Sequence, residues 1–123
     1  MVTSRQVNMI DFVEFPVRSL EDLAASKAFF AQVFDWPYQD WGDDYADTVH
    51  SGLASGLNAD SAHRSEQPLV VVFVSDLPAA RRRVLAAGGS ITREIFAFPG
   101  GQRFHFREPG GNELAVWSEC QAD

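Results

Sequence analysis

An α+β chain in which one βαβββ unit is stated twice is the fold class this sequence predicts, and three observations predict it. The pairs Val17-x-x-Leu20 and Val74-x-x-Leu77 each mark a strand handing over to a helix. Each handover is followed by short apolar runs punctuated by turn residues. These are Gly42-Asp43-Asp44 and Ser51-Gly52 in the first half, and Gly100-Gly101 and Pro109-Gly110-Gly111 in the second. A length of 123 residues with 46% apolar composition suits one domain rather than two independent ones. Module one is expected over about 8–59, a polar connection over 60–67, and module two over about 68–119.

The elements follow in order. From Ile10 to Val17 the chain alternates as a strand does, with Val13, Phe15 and Val17 on one face and Phe12, Glu14 and Pro16 on the other. Ser19 is placed to cap a helix, with Asp22 three residues on. Leu23, Phe30 and Phe34 form its inward stripe, and Trp36-Pro37 closes it, because the residue before proline resists helical geometry. Three short strands are expected between Tyr38 and Asn58, then a polar surface connection over Ala59 to Gln67. Leu69 to Val74 is β-branched and bounded by turn residues, as a buried strand would be. Asp76 caps a second helix with Pro78 in its first turn. Leu77, Ala80, Val84 and Ala87 face inward there, and Gly88-Gly89 ends the helix. Strands over Ile91–Phe98, Gln102–Arg107 and Asn112–Ser118 complete the second module.

Composition excludes several classes of function. The net charge of −7, from 17 acidic and 10 basic residues, argues against nucleic acid, which needs a concentrated basic footprint. Arg81-Arg82-Arg83 reads as the solvated outer face of a helix. No stretch approaches the roughly 20 apolar residues of a membrane span. The polar start, Met1 to Gln6, lacks an apolar signal core, so a cytoplasmic protein is expected. The single cysteine, Cys120, is expected as a tolerated thiol near the terminus. Gly100-Gly101 and Gly110-Gly111 join strands instead of opening helices, so they are neither a P-loop nor a dinucleotide fingerprint.

The segment Gly101-Gln102-Arg103-Phe104-His105-Phe106-Arg107-Glu108-Pro109-Gly110-Gly111-Asn112-Glu113-Leu114-Ala115-Val116-Trp117 resembles the final hairpin of the vicinal oxygen chelate family, the glyoxalase/bleomycin-resistance/dioxygenase superfamily. Its turn, Glu108-Pro109-Gly110-Gly111-Asn112, departs slightly from that family's Asp-Pro-Asp-Gly-Asn. Glu14-Phe15-Pro16-Val17 and Val74-Ser75-Asp76-Leu77 resemble its two strand-to-helix junctions. The resemblance implies two paired βαβββ modules forming a cupped sheet, with a homodimer as the expected assembly. It also implies a divalent metal in the cup of family enzymes, held by His, Glu or Gln and acting as a Lewis acid. The positions that match those ligands are Phe12, Leu69 and Ala115, and a fourth falls within Leu53 to Leu57. Phe, Leu and Ala cannot coordinate a metal, and Leu53 to Leu57 offers no carboxylate or imidazole, so no metal and no other cofactor is expected.

Strand alternation turns Phe12, Glu14, Leu69, Val71, Phe73, Ala115 and Trp117 into the cup. If Phe104 and Phe106 join Leu114 and Val116 against the helix, Arg103 and His105 face the cup as well. These nine residues are the candidate ligand-binding set. Glu14 and His105 carry the weak catalytic possibilities: a carboxylate in an apolar cup is a general base, and His105 its acid partner or, with Arg103, a binder of an anion. The plainer reading pairs Glu14 with an arginine and leaves His105 solvated. An off-pattern metal set of Glu14, His50 and His105 is the remaining alternative, while His63 is expected to be exposed and Asp40, Asp43, Asp44 and Asp47 are either a binding rim or a solvated one. The expected function is metal-free binding of a small, partly aromatic ligand, as the family's bleomycin-resistance members sequester theirs. A metal-dependent lyase, isomerase or ring-cleaving dioxygenase is the alternative, and a structural or regulatory dimer with a vestigial pocket is the third.

Overall fold

Period-two alternation and one apolar helical stripe in each half produce ten elements in the computed structural model, which describes residues 5–119. They run β1 (Met9–Pro16), α1 (Leu20–Phe34), β2 (Gln39–Asp40), β3 (Tyr45–Thr48), β4 (Ala54–Asn58), β5 (Leu69–Phe73), α2 (Leu77–Ala86), β6 (Ser90–Phe98), β7 (Gly101–Arg107) and β8 (Glu113–Glu119). The fold is α+β, and strand, helix and three strands recur in the expected order. Cys120 lies outside the described residues. The chain divides into two units: Phe12–Leu69, and Val70 onward together with the lead-in through Asp11.

In the Phe12–Leu69 unit the strands lie in the order β2-β3-β4-β1. The β1–β4 pair is parallel and the other pairs are antiparallel. Ser19 caps α1, its Oγ accepting from the Asp22 amide at 3.0 Å, and Glu21 and Asp22 favour the positive end of the helix. Val17, Leu23, Ala46, Leu57 and Ala59 form the core, with Phe15, Phe30 and Tyr38 packed against it. Ala59 is therefore core and not the start of a surface connection; its amide bonds the Asp44 carbonyl at 2.8 Å. The helix ends at Phe34, but Asp35 and not Trp36-Pro37 makes the stop. Asp35 adopts the left-handed conformation (φ 59°), one residue before Trp36. That turn folds Trp36 back onto Phe30, with ring centroids 5.3 Å apart. Trp36 covers the end of the stripe, and Phe34, expected inside, is 54% exposed.

The second unit repeats the plan in the order β5-β8-β7-β6, again one parallel pair, β5–β8, followed by antiparallel ones. Asp76 caps α2, its Oδ1 accepting from the Ala79 amide at 3.0 Å, and Gly88 takes φ 97° after the last turn. Leu77, Ala80, Val74, Phe104 and Val116 are buried together, with Val72, Val84, Ile91, Ile95 and Phe106 against them. Ala87 was expected in the inward stripe; as the capping residue it lies past the last helical turn and is exposed. Arg81 from the arginine run is not simply solvated: it makes a two-pronged bond to Glu94 of β6, both contacts 2.8 Å. β6 is the outer strand of this sheet, and its pairing with β7 shifts register between Ile91 and Arg93 and again between Arg93 and Phe96.

The β7–β8 turn shows why glutamate suits its first position. The Glu108 carboxylate accepts from the Gly110 amide at 2.7 Å, the Asn112 amide at 3.2 Å and the Asn112 side chain at 2.6 Å. These donors hold its carboxyl below the usual glutamate range. Among the described residues no helix is long and apolar enough to cross a membrane.

The cap of α2 gives a direct check on this account. Asp76→Ala is expected to destabilise the protein by about 1 kcal/mol, while Asp76→Ser keeps most of the stability. Equal thermal midpoints for the alanine variant and wild type would show that the cap contributes nothing.

Candidate functional site

α1 and α2 each cover one face of their own sheet, so the candidate residues are found on the faces turned away from the helices. In the Phe12–Leu69 unit that face centres on Glu14, which is 2% exposed. A carboxylate so buried requires donors. The Tyr45 hydroxyl donates to Oε1 at 2.8 Å and the Asn58 side-chain amide to Oε2 at 3.2 Å. Gly56 of β4 stands directly opposite Glu14 in the parallel ladder. A Cβ there would lie 2.5 Å from Tyr45 Oη and 2.9 Å from Phe12 Cζ. The absence of a side chain at 56 thus lets Tyr45 reach across to Glu14 and lets Phe12 close beside it.

In the second unit the strand register lines up two rows across the sheet. Phe73 pairs with Trp117, Trp117 with Arg103, and Arg103 with Phe96; Val71 pairs with Ala115, Ala115 with His105, and His105 with Arg93. The structure therefore brings Val71, Phe73, Arg103, His105, Ala115 and Trp117 onto one face. Trp117 meets Phe73 edge-on at 5.2 Å and Phe98 at 6.0 Å. The Arg103 guanidinium stands 5.3 Å from the Phe96 ring and 5.7 Å from the Phe98 ring, within cation–π range. His105 is 3% exposed, packed edge-on to Phe96, so it is not a solvated strand residue. Its Nδ1 lies 3.9 Å from the Glu113 carboxylate, which itself accepts from the Thr92 hydroxyl at 2.6 Å.

Trp117 has a further set of partners. Its indole N–H lies 3.1 and 3.2 Å from the two carboxylate oxygens of Asp11. The Arg5 guanidinium sits 4.9 Å over the ring. Burial is the main influence on the Asp11 carboxyl and pushes its pKa up; the Trp117 hydrogen bond and the nearby Arg5 charge oppose that rise.

The remaining candidates are more dispersed. Leu69 is buried at the start of β5. His50 is exposed after β3, its amide bonded to Thr48 Oγ1, and His63 is exposed beside Asp60 at 2.6 Å. The acidic stretch is partly structural: Asp40 pairs with Lys27 at 2.5 Å and Asp47 accepts from the Trp41 indole at 2.9 Å. Two surface clefts, of about 320 and 390 Å³, lie along α2 and α1 respectively. None of the nine candidate residues lines either one. Sequence reading missed Tyr45, Asn58 and Gly56, whose strands are short and weakly patterned, and also Asp11 and Arg5.

A protein-family comparison matches residues 10–116 to the model described as Glyoxalase/Bleomycin resistance protein/Dioxygenase superfamily. The chain belongs to this superfamily. Solved structures agree on the fold. The NAD-dependent benzaldehyde dehydrogenase from Legionella pneumophila is 18% identical, with 88% of this chain and 97% of that one covered and a TM-score of 0.72. Methylmalonyl-CoA epimerase from Mycobacterium tuberculosis is 15% identical, with 98% and 94% covered and a TM-score of 0.65. At such identities the likeness is one of fold alone. The Mn(II)-bound glyoxalase from Novosphingobium aromaticivorans is 25% identical with a TM-score of 0.66, and 95% of this superfamily member spans only 42% of that chain. A comparison with curated proteins finds no match.

The residues at the superfamily's metal-ligand positions do not fit a metal. Phe12, Leu69 and Ala115 carry hydrocarbon side chains with no lone pair to donate. Within Leu53 to Leu57, Gly56 offers only space, which Tyr45 and Phe12 occupy. Among the described residues no three His, Cys, Asp or Glu side chains are grouped to hold an ion.

Two outcomes are expected. Gly56→Ala forces Tyr45 and Phe12 apart and should cost about 1–3 kcal/mol in urea unfolding; a variant as stable as wild type contradicts the close packing. Because Asp11 binds its proton more tightly when folded, its contribution to stability is complete below the ordinary aspartate range, near pH ~4, and is lost as pH rises through its raised pKa. Asp11→Asn should therefore flatten the thermal midpoint against pH just above that range. An unchanged curve would refute the assignment.

Proposed function

We propose that this superfamily member binds a small, partly aromatic ligand against the Phe73–Trp117–Phe98 wall and that it does so without a catalytic metal. The observation that carries this reading is the wall itself: the Trp117 ring in contact with Phe73 and with Phe98, and the Arg103 guanidinium near Phe98 as a polar handle. An apolar surface with a few polar groups is the usual make-up of a small-molecule site. The hydrocarbon side chains of Phe12, Leu69 and Ala115 support the metal-free part. In this reading Val71, His105 and Ala115 are its buried floor, and Glu14, fixed by Tyr45 and Asn58, supports the fold and not the chemistry. The protein acts in the cytoplasm as a homodimer.

The 25% identity to a Mn(II)-bound glyoxalase favours a second reading, a metal-dependent enzyme with ligands elsewhere in the chain. The burial of Val71, Phe73, His105 and Ala115 favours a third, a structural or regulatory dimer with a vestigial pocket.

One paired experiment separates them. Metal content is measured by mass spectrometry after incubation with Fe²⁺, Mn²⁺, Zn²⁺ or Ni²⁺ and dialysis. In parallel, neutral aromatic compounds are titrated against Trp117 fluorescence in a Trp36→Phe, Trp41→Phe background. Saturable quenching without retained metal is the expected result. Stoichiometric retention of an ion selects the enzyme, and no quenching by any compound selects the vestigial pocket.

A further inference from the structure

Trp117 already holds a cation supplied by its own chain. The Arg5 guanidinium carbon lies 4.9 Å from the centre of the indole ring, its Nε 3.7 Å from Asp11 and its Nη1 3.4 Å from Glu119. Asp11 also receives the indole N–H, so one carboxylate both orients the ring and faces the cation placed over it. An aromatic face flanked by two carboxylates is a receptor for a flat, positively charged group.

Arg5 fills this receptor loosely. Its side chain is 42% exposed, and both of its ion pairs are long. It belongs to a lead-in that is anchored further along the chain, at Asn8. There the amide donates to the Phe73 carbonyl at 2.7 Å, and the backbone turns through φ 67°. The anchor holds without Arg5, so the guanidinium can leave while the strand stays in place. The pair with Glu119 is exposed on both sides, and such a pair yields readily to a competing cation. Arg103 neighbours Trp117 in the ladder but directs its guanidinium over Phe96 and Phe98, and Arg93 places its own over Phe96. The net charge of −7 draws cations toward the protein.

We infer that the Trp117–Asp11–Glu119 corner is a binding site for the cationic group of an aryl amidinium or aryl guanidinium, and that Arg5 is a built-in competitor for it. The inference rests on the ligand-binding reading above and names the chemistry of the ligand. The aromatic part packs along the wall, and the cation takes the place of Arg5 between the two carboxylates.

The test uses benzamidine and its neutral counterpart benzamide, titrated against Trp117 fluorescence in the Trp36→Phe, Trp41→Phe background. Arg5→Gln and Arg5→Ala are each expected to tighten benzamidine binding about five- to tenfold, the weight of one cation–π contact and one exposed ion pair. Asp11→Asn should weaken it, and benzamide should respond to neither change. Benzamidine affinity that is the same with and without Arg5 overturns the inference. If benzamide binds as well as benzamidine and both ignore Arg5, the wall binds aromatics and only the cationic class is wrong. If neither compound perturbs Trp117 in any variant, the inference and the ligand-binding reading fall together. Far-UV circular dichroism confirms that both Arg5 variants are folded, and the exposure of this side chain makes that the expected result.

Discussion

A helix can cover only one face of a sheet, and that constraint organises each unit. α1 takes Phe15, Val17 and Leu57, and α2 takes Val74, Phe104 and Val116. Period-two alternation then decides what is left on the other side. In one unit the remainder is Phe12, Glu14 and the space above Gly56. In the other it is two cross-strand rows that carry aromatic rings, two arginines and a histidine. The helix-covered faces account for the cores, and the uncovered faces hold Glu14, Trp117, Arg103 and His105.

Most of the fold was legible because it rests on local rules. Ser19 and Asp76 are caps by residue type and position, and both bond as caps do. The partition of the last hairpin, Phe104 and Phe106 toward the helix with Arg103 and His105 away, follows from alternation once one strand is oriented. Where the reading failed, a tertiary contact had outweighed a local pattern. Phe34 fits the helical stripe, but Trp36 arrives from beyond the helix to cover that end. Ala59 looks like the start of a polar loop, but its amide is taken by Asp44 and its side chain by the core.

The candidate site was legible only by row. Alternation identifies which residues share a face, but the partners of Glu14 depend on the register between β1, β4 and β3, and two of those strands are four or five residues long. Nothing local marks Tyr45 and Asn58 as donors to a glutamate so far away in the chain. Arg5 and Asp11 were missed for a similar reason: their meeting with Trp117 spans nearly the whole sequence. The superfamily positions point the opposite way. Phe12, Leu69 and Ala115 are readable as non-ligands from residue type alone, and no register can change that.

The irregular pairing of β6 has a consequence for how copies of this protein meet. An outer strand nine residues long would ordinarily expose a straight line of unpaired amides and carbonyls, a template onto which another chain could add. The two register shifts bend that line, Arg93 and Glu94 place charge along it, and Pro99 ends it without a donor. The border of this sheet is consequently a poor seed for runaway strand stacking. Chains of this sequence can remain concentrated without knitting into fibrils through β6.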